Sequence, residues 1–133
     1  MTDKELRLQK ANELIVLIAT TGRRFFYYGE ENRVSHFLFK NNGHIYFKDC
    51  YTRKEINTSH YRYFSPYFTD GGTMQALVQE LADYIRNDEP TSGQRGYGGV
   101  YGESWAYPES DMKKIQEKAI EIGFVKAGAA NEQ

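Results

Sequence analysis

Cysteine is nearly missing from this chain: Cys50 stands alone. That excludes an intramolecular disulfide and any multi-cysteine zinc or iron–sulfur site, and makes the cytoplasm the default compartment. Long apolar runs are missing too. The longest, ELIVLIAT at residues 13 to 20, is far too short to span a bilayer, so no membrane partner is expected. The segment before it, MTDKELRLQKAN, mixes acids and bases and lacks the basic-then-apolar layout of a signal peptide. Neither sign of charge dominates, since the formal net charge is −1 over 133 residues. Charged residues make up an ordinary 26%, which argues against wholesale disorder.

The catalytic signatures are also missing. No glycine is followed by Lys and then Ser or Thr, as a phosphate-cradling Walker loop requires. Gly96 and Gly98 begin a G-x-G-x-x-G fingerprint, but position 101 is Tyr and the preceding segment reads as a helix, not a strand. His36, His44 and His60 lack a helical metal-ligand spacing and read as satisfied surface or core histidines. No G-x-S-x-G occurs, and Cys50 closes a strand-like segment with no recognisable base beside it. The carboxylate pairs Glu30-Glu31 and Asp88-Glu89 sit in turn-like sequence, where such pairs are usually solvated. No catalytic residue, no cofactor and no metal is therefore expected, and the chain reads as a non-enzyme.

What is plentiful is aromatic: eleven Tyr, eight Phe and one Trp, 15% of the chain. Such a composition suits a tyrosine-rich β surface better than a Leu/Ala helical bundle. Fourteen of the twenty lie between Phe25 and Phe68. The same stretch is basic, with eight basic against four acidic side chains over residues 21 to 62, whereas residues 63 to 133 carry six against eleven. Acidic mimicry of nucleic acid is confined to that C-terminal half, since overall neutrality argues against mimicry by the whole chain.

Periodicity predicts an α+β fold in one domain spanning residues 1 to 133, with a frayed tail from about 126. An N-terminal helix is expected over residues 4 to 20, its stripe built on Leu14, Leu17 and Ile18, with Gly22 near its end. RRFFYY (23 to 28), RVSHFLFK (33 to 40) and HIYFKDC (44 to 50) predict an antiparallel meander, and residues 51 to 69 a further short strand or an ordered loop, for a three- to four-stranded sheet. Between the second and third segments, Asn41-Asn42 followed by Gly43 in the left-handed region makes a three-residue hairpin loop. That register sets Phe39 against Ile45 and Phe37 against Phe47. Val34, His36, Leu38, Tyr46 and Lys48 then share the opposite face, which either packs on a helix or binds a partner. Two C-terminal helices are expected to pack on the sheet. The first carries Met74, Leu77, Val78, Leu81 and Ile85, is capped by Asp70 or Thr73 and is closed by Pro90; the second runs from about 108 to 122 and stops at Gly123.

Between these two helices lies GQRGYGGVYGESW, residues 93 to 105. It fails the phosphate tests above, and one arginine is little for a loose nucleic-acid arm. Tyr97, Tyr101, Trp105 and Tyr107 are large enough to favour an ordered connection that either seals the core or presents a contact surface.

At GRRFFYY, RVSHFLFK, GGTMQALVQELADYIR and GYGGVYGESWAYPESDMKKIQEKAIEIGF the chain resembles a family of small uncharacterised proteins recurrent in proteobacterial phages, prophages and their hosts. There a G-R-R-F-F strand, a G-G-T helix start and a Gly/aromatic loop before a final helix occur in the same order. The resemblance covers most of residues 13 to 124 and brings no catalytic residues with it. It implies a small accessory protein of a mobile element, of the kind that binds and blocks or redirects a host macromolecule, including a defence system.

The function expected is thus a contact with a host protein or protein complex. Arg95, Tyr97, Tyr101, Trp105, Tyr46 and Lys48 are the candidate partner-binding residues, because Tyr, Trp and Arg dominate interface energetics. The alternative is nucleic acid on a basic, aromatic sheet face through Arg23, Arg24, Lys40, Lys48, Arg53, Lys54 and Arg62, where bases stack and phosphates pair. The competing structural reading is that Phe residues form the core, Tyr residues line its rim and the cations only solvate the strands.

Overall fold

The computed structural model describes residues 1–22, 24–60, 63, 73–90, 100–101 and 107–126. Helix α1 (Asp3–Ala19) opens on a side-chain cap. Thr2 Oγ1 accepts from the Glu5 amide at 3.1 Å and lies 3.2 Å from the Glu5 carboxylate, which satisfies one of the amides a helix start leaves free. Ala11, Leu14, Ile15, Ile18 and Ala19 are buried along one face. Next come β1 (Tyr27–Tyr28), a single 3₁₀ turn at Gly29–Glu31, and the strands β2 (Arg33–Val34), β3 (His36–Phe39), β4 (Ile45–Lys48) and β5 (Glu55–Asn57). The helices α2 (Thr73–Asn87) and α3 (Glu109–Glu121) follow.

The α+β class stands, and the strands divide into two antiparallel sheets, β1-β2 and β3-β4-β5. Two local causes separate this from one continuous meander. Arg24 and Phe26 take positive φ values of 55° and 68°, and left-handed backbone cannot continue a strand, so among the described residues of RRFFYY only Tyr27 and Tyr28 join a strand. The 33 to 40 segment breaks at buried Ser35, whose amide donates to the Phe26 carbonyl (2.9 Å) and whose Oγ accepts from the Cys50 amide (2.8 Å). Val34 consequently pairs with Tyr27 and packs toward the core instead of sharing a face with His36.

The hairpin register is the one expected from Asn41-Asn42-Gly43: Phe37 faces Phe47 and Phe39 faces Ile45. Gly43 has φ 80° and its amide donates to the Lys40 carbonyl at 2.8 Å. On β5, Ile56 faces Phe47. Phe37, Phe47 and Ile56 thus make one buried row and join Leu14, Ile18, Leu77, Leu81, Ile85 and Ile115 in a common core. Burial of each such side chain contributes about 1.5–3 kcal/mol.

The later helices end as their sequences suggest. Asp88, at φ 56°, turns the chain out of α2, and the Arg7 guanidinium donates to the carbonyls of Tyr84 and Ile85 at that end. Gly123, at φ 83°, stops α3, and the Phe124 amide returns to the Ala119 carbonyl. The expected caps at Asp70 and Thr73 and the tail beyond residue 126 lie outside the described side chains. Among the described residues no helix is long and apolar enough to cross a membrane.

Candidate contact surface

Since α1 and α2 cover the Phe37–Phe47–Ile56 side of the sheet, the other side carries two cross-strand rows. One is His36, Lys48 and Glu55; the other is Leu38, Tyr46 and Asn57. Tyr46 is the centre of this face and is already engaged. The Lys40 ammonium lies 4.5 Å from its ring centroid and 3.3 Å from the Glu55 carboxylate, while Asn42 Nδ2 donates to its hydroxyl at 3.1 Å. Lys40 is therefore neutralised locally. Lys48 is half-buried and makes no ion pair among the described residues.

A second cluster forms at the end of the sheet, where the 49 to 54 turn joining β4 to β5 meets the β1-β2 hairpin. Arg33 lies over the Tyr28 ring at 4.7 Å, and the Tyr28 and Tyr51 rings are 4.9 Å apart. One carboxylate oxygen of Glu31 serves both Arg33, at 2.8 Å, and Arg53. Tyr28 donates to Glu30 at 2.6 Å, and this hydrogen bond is the main reason its phenol is held above the ordinary value. Tyr51 is the outlier, with 70% of its surface exposed. A large ring held against a neighbour yet open to solvent is the type of residue that anchors interfaces.

Beside this corner lies a cleft of about 570 Å3 lined by, among others, Arg24, Phe26, Tyr27, Cys50, Tyr51 and Met74. Burial pushes the Cys50 thiol up, so it stays protonated at neutral pH. Among the described residues no three His, Cys, Asp or Glu side chains converge as a metal site would require.

Residues 2–131 match the profile of the YoqU family. The chain is also 36% identical, over 120 residues, to the SPbeta prophage-derived uncharacterized protein YoqU of Bacillus subtilis (strain 168), an alignment covering 90% of this chain and 82% of that one. The chain belongs to the YoqU family. That makes it a member of a prophage-associated family, and the relative comes from a Bacillus prophage, outside the proteobacterial phages to which the sequence resemblance pointed. No solved structure matches this YoqU-family chain.

In the YoqU-family chain the residues singled out from sequence do not fall on one surface. Tyr46, Lys48 and Lys40 share the outer sheet face, while Arg53 and Lys54 sit in the β4–β5 turn. Arg24 is exposed and lies 5.7 Å from the Tyr27 ring. Tyr101 stands apart: it is half-buried against the core and lines a cleft with Met112, Gln116 and Ile120 of α3. Its hydroxyl is buried without a hydrogen-bond partner among the described residues, and burial raises its ionisation above the ordinary value. Arg23, Arg62, Arg95, Tyr97 and Trp105 lie outside the described residues.

At the described ends of the Gly/aromatic segment, Val100 is buried and its carbonyl accepts from Gln116, and Tyr107 packs on Phe25. Sequence reasoning passed over Tyr28, Arg33 and Tyr51. Placing β5 at Glu55–Asn57 was the missing step, since pairing Lys48 with Glu55 throws Tyr51 to the tip of a tight turn.

Proposed function

We propose that this protein is a non-enzymatic accessory protein of a phage or mobile element, acting in the host cytoplasm by binding a host protein and so serving host takeover or the inhibition of a defence system. The observation that carries this reading is Tyr51, 70% exposed yet held in a tilted ring contact with Tyr28, with Arg33 and Arg53 gathered on one Glu31 carboxylate beside it. Two tyrosines and two arginines in one patch give area and directional hydrogen bonding at low cost in side-chain entropy. The prophage origin of the Bacillus relative supports the setting.

The test is affinity capture from host lysate, with and without nuclease, using the wild type, Tyr51→Ala and Arg53→Ala. A single protein complex that survives nuclease and is lost with both variants supports the reading. Capture that needs intact nucleic acid and falls steeply with salt moves the function to nucleic acid. Lys48 and Lys54, which pair with no carboxylate among the described residues, favour that second reading.

A further inference from the structure

The cleft beside Tyr51 combines features that the exposed corner alone does not explain. Its inner wall is apolar, built from Phe26, Phe47, Cys50 and Met74, with Tyr27 and Tyr51 flanking it and Arg24 on the exposed rim. At about 570 Å3 it falls in the size range of pockets that bury a ligand group. Two of its lining residues, Arg24 at φ 55° and Phe26 at φ 68°, are non-glycine residues in left-handed backbone. Phe26 is bulky and buried, so the conformation is held by its surroundings, and strain of this kind concentrates where a fold must present a group in a fixed direction.

The charges around the cleft are unequal in availability. The Asp49 carboxylate is occupied, accepting from the amide and hydroxyl of Thr52 at 2.9 and 2.8 Å, and Glu31 is taken by Arg33 and Arg53. Arg24, the one cation lining the cleft among the described residues, makes no ion pair among them. The open charge at the rim is positive, while the nearby carboxylates are hydrogen-bonded or paired.

We infer that this cleft is the anchor pocket of the contact surface and takes an aromatic side chain flanked by carboxylates, that is, an acidic peptide segment of the protein partner. The pocket buries the ring against Phe26, Cys50 and Tyr51. Arg24, fixed at the rim by its left-handed backbone, pairs with the adjacent carboxylate. The inference rests on the protein-binding function proposed above and names the chemistry that the partner presents.

The experiment titrates the isotope-labelled full chain with three synthetic peptides and follows its amide resonances. The probes are acetyl-Asp-Glu-Phe-Glu-Asp-amide, the same peptide with Ala for Phe, and the same peptide with Lys at every acidic position; an eight-nucleotide oligothymidylate is the fourth probe. The acidic Phe peptide is expected to shift the amides of Phe26, Cys50, Tyr51 and Thr52 saturably. The Ala peptide is expected to bind on the order of tenfold more weakly, as loss of a buried ring requires. Arg24→Gly is expected to weaken the Phe peptide by about two- to fivefold, the worth of an exposed ion pair, while its melting temperature rises because glycine relieves the left-handed strain. Arg24→Lys is expected to bind within about twofold of the wild type.

Absence of saturable shifts, equal binding of the Lys peptide, an oligothymidylate that displaces the Phe peptide, or an Arg24→Gly protein that melts higher yet binds as well as wild type each overturns the inference. Capture that depends on Tyr51 and Arg53, without peptide binding, removes the pocket and leaves the proposed function. Peptide binding without any capture does the reverse.

Discussion

Asn12 of α1 holds both backbone groups of Phe37: its Nδ2 donates to the Phe37 carbonyl at 3.0 Å and its Oδ1 accepts from the Phe37 amide at 2.7 Å. β3 is the outer strand of its sheet. The Lys40 amide donates to the His44 carbonyl, so in this antiparallel ladder the even-numbered residues bond β4 and the odd-numbered ones point their backbone outward. A side-chain amide thus stands in for the missing neighbouring strand, in the way edge strands are commonly kept from pairing with another chain. Asn12→Leu is expected to lower stability by about 2 kcal/mol through two unsatisfied backbone groups. It is also expected to make the protein self-associate. Urea denaturation gives the first quantity and sedimentation at increasing concentration the second; unchanged values for both would show that the pair is incidental.

Gly22 and Tyr107 are a second long-range pair. Gly22 has φ 49°, and a Cβ added there would stand 2.6 Å from the Tyr107 ring, whose hydroxyl accepts from the Phe25 amide at 3.3 Å. The Gly22 amide also donates to Asp111 of α3 at 3.1 Å. Gly22→Ala is expected to cost about 2–4 kcal/mol, combining left-handed strain with overpacking. In a Tyr107→Ala background the same change should cost only about 1 kcal/mol, because the clash is gone and the strain remains. Equal costs in both backgrounds would mean that the ring is not what requires glycine.

These two pairs mark where the sequence stops being legible. The helices could be read because their stripes, from Leu14 to Ile18 and from Leu77 to Ile85, report burial directly. The β3–β4 register could be read because Gly43 supplies a left-handed residue at the position the turn demands. The Thr2–Glu5 cap was legible as T-x-x-E and went unread. Arg24 and Phe26 give no such warning, since nothing in their chemistry favours positive φ and only tertiary packing holds them there. Asn12 looks like an ordinary polar position on an amphipathic helix until β3 is placed beside it. Of the candidate surface, Tyr46 and Lys48 followed from alternation along a strand. The Tyr28–Tyr51 contact joins a two-residue strand to a turn and has no period to betray it.

Ser35 is small, polar and buried, and it is the point where β2 parts from β3. Its Oγ accepts from the Cys50 amide at 2.8 Å, tying the start of the β4–β5 turn to the strand break. Ser35→Ala leaves that buried amide without its acceptor, so a loss of about 1–3 kcal/mol is expected. Amide exchange at Cys50 should rise by more than the global loss of stability accounts for. If exchange rises only by the global amount, the bond does not hold the turn.

Tyr84 and Cys50 couple stability to alkaline pH. Tyr84 is buried, donates to the Ile122 carbonyl at 2.6 Å and packs edge-on against Phe124; burial is the main cause raising its phenol above the ordinary value, as burial raises the Cys50 thiol. The folded protein holds these protons to higher pH than the unfolded chain, whose thiol and phenols ionise near roughly 8.5 and 10. At about pH 7 and below both states hold these protons almost completely and stability is at its plateau. As pH rises the unfolded chain sheds protons first, and stability falls until the folded groups ionise as well. Thermal melts from pH 7 to 11 should show the decline starting with the thiol and steepening near pH 10. Cys50→Ala should remove the first part. Tyr84→Phe should lower the plateau by about 1 kcal/mol, the loss of one buried hydrogen bond, and flatten the second part. A decline of unchanged shape in both variants would assign the alkaline loss to other groups.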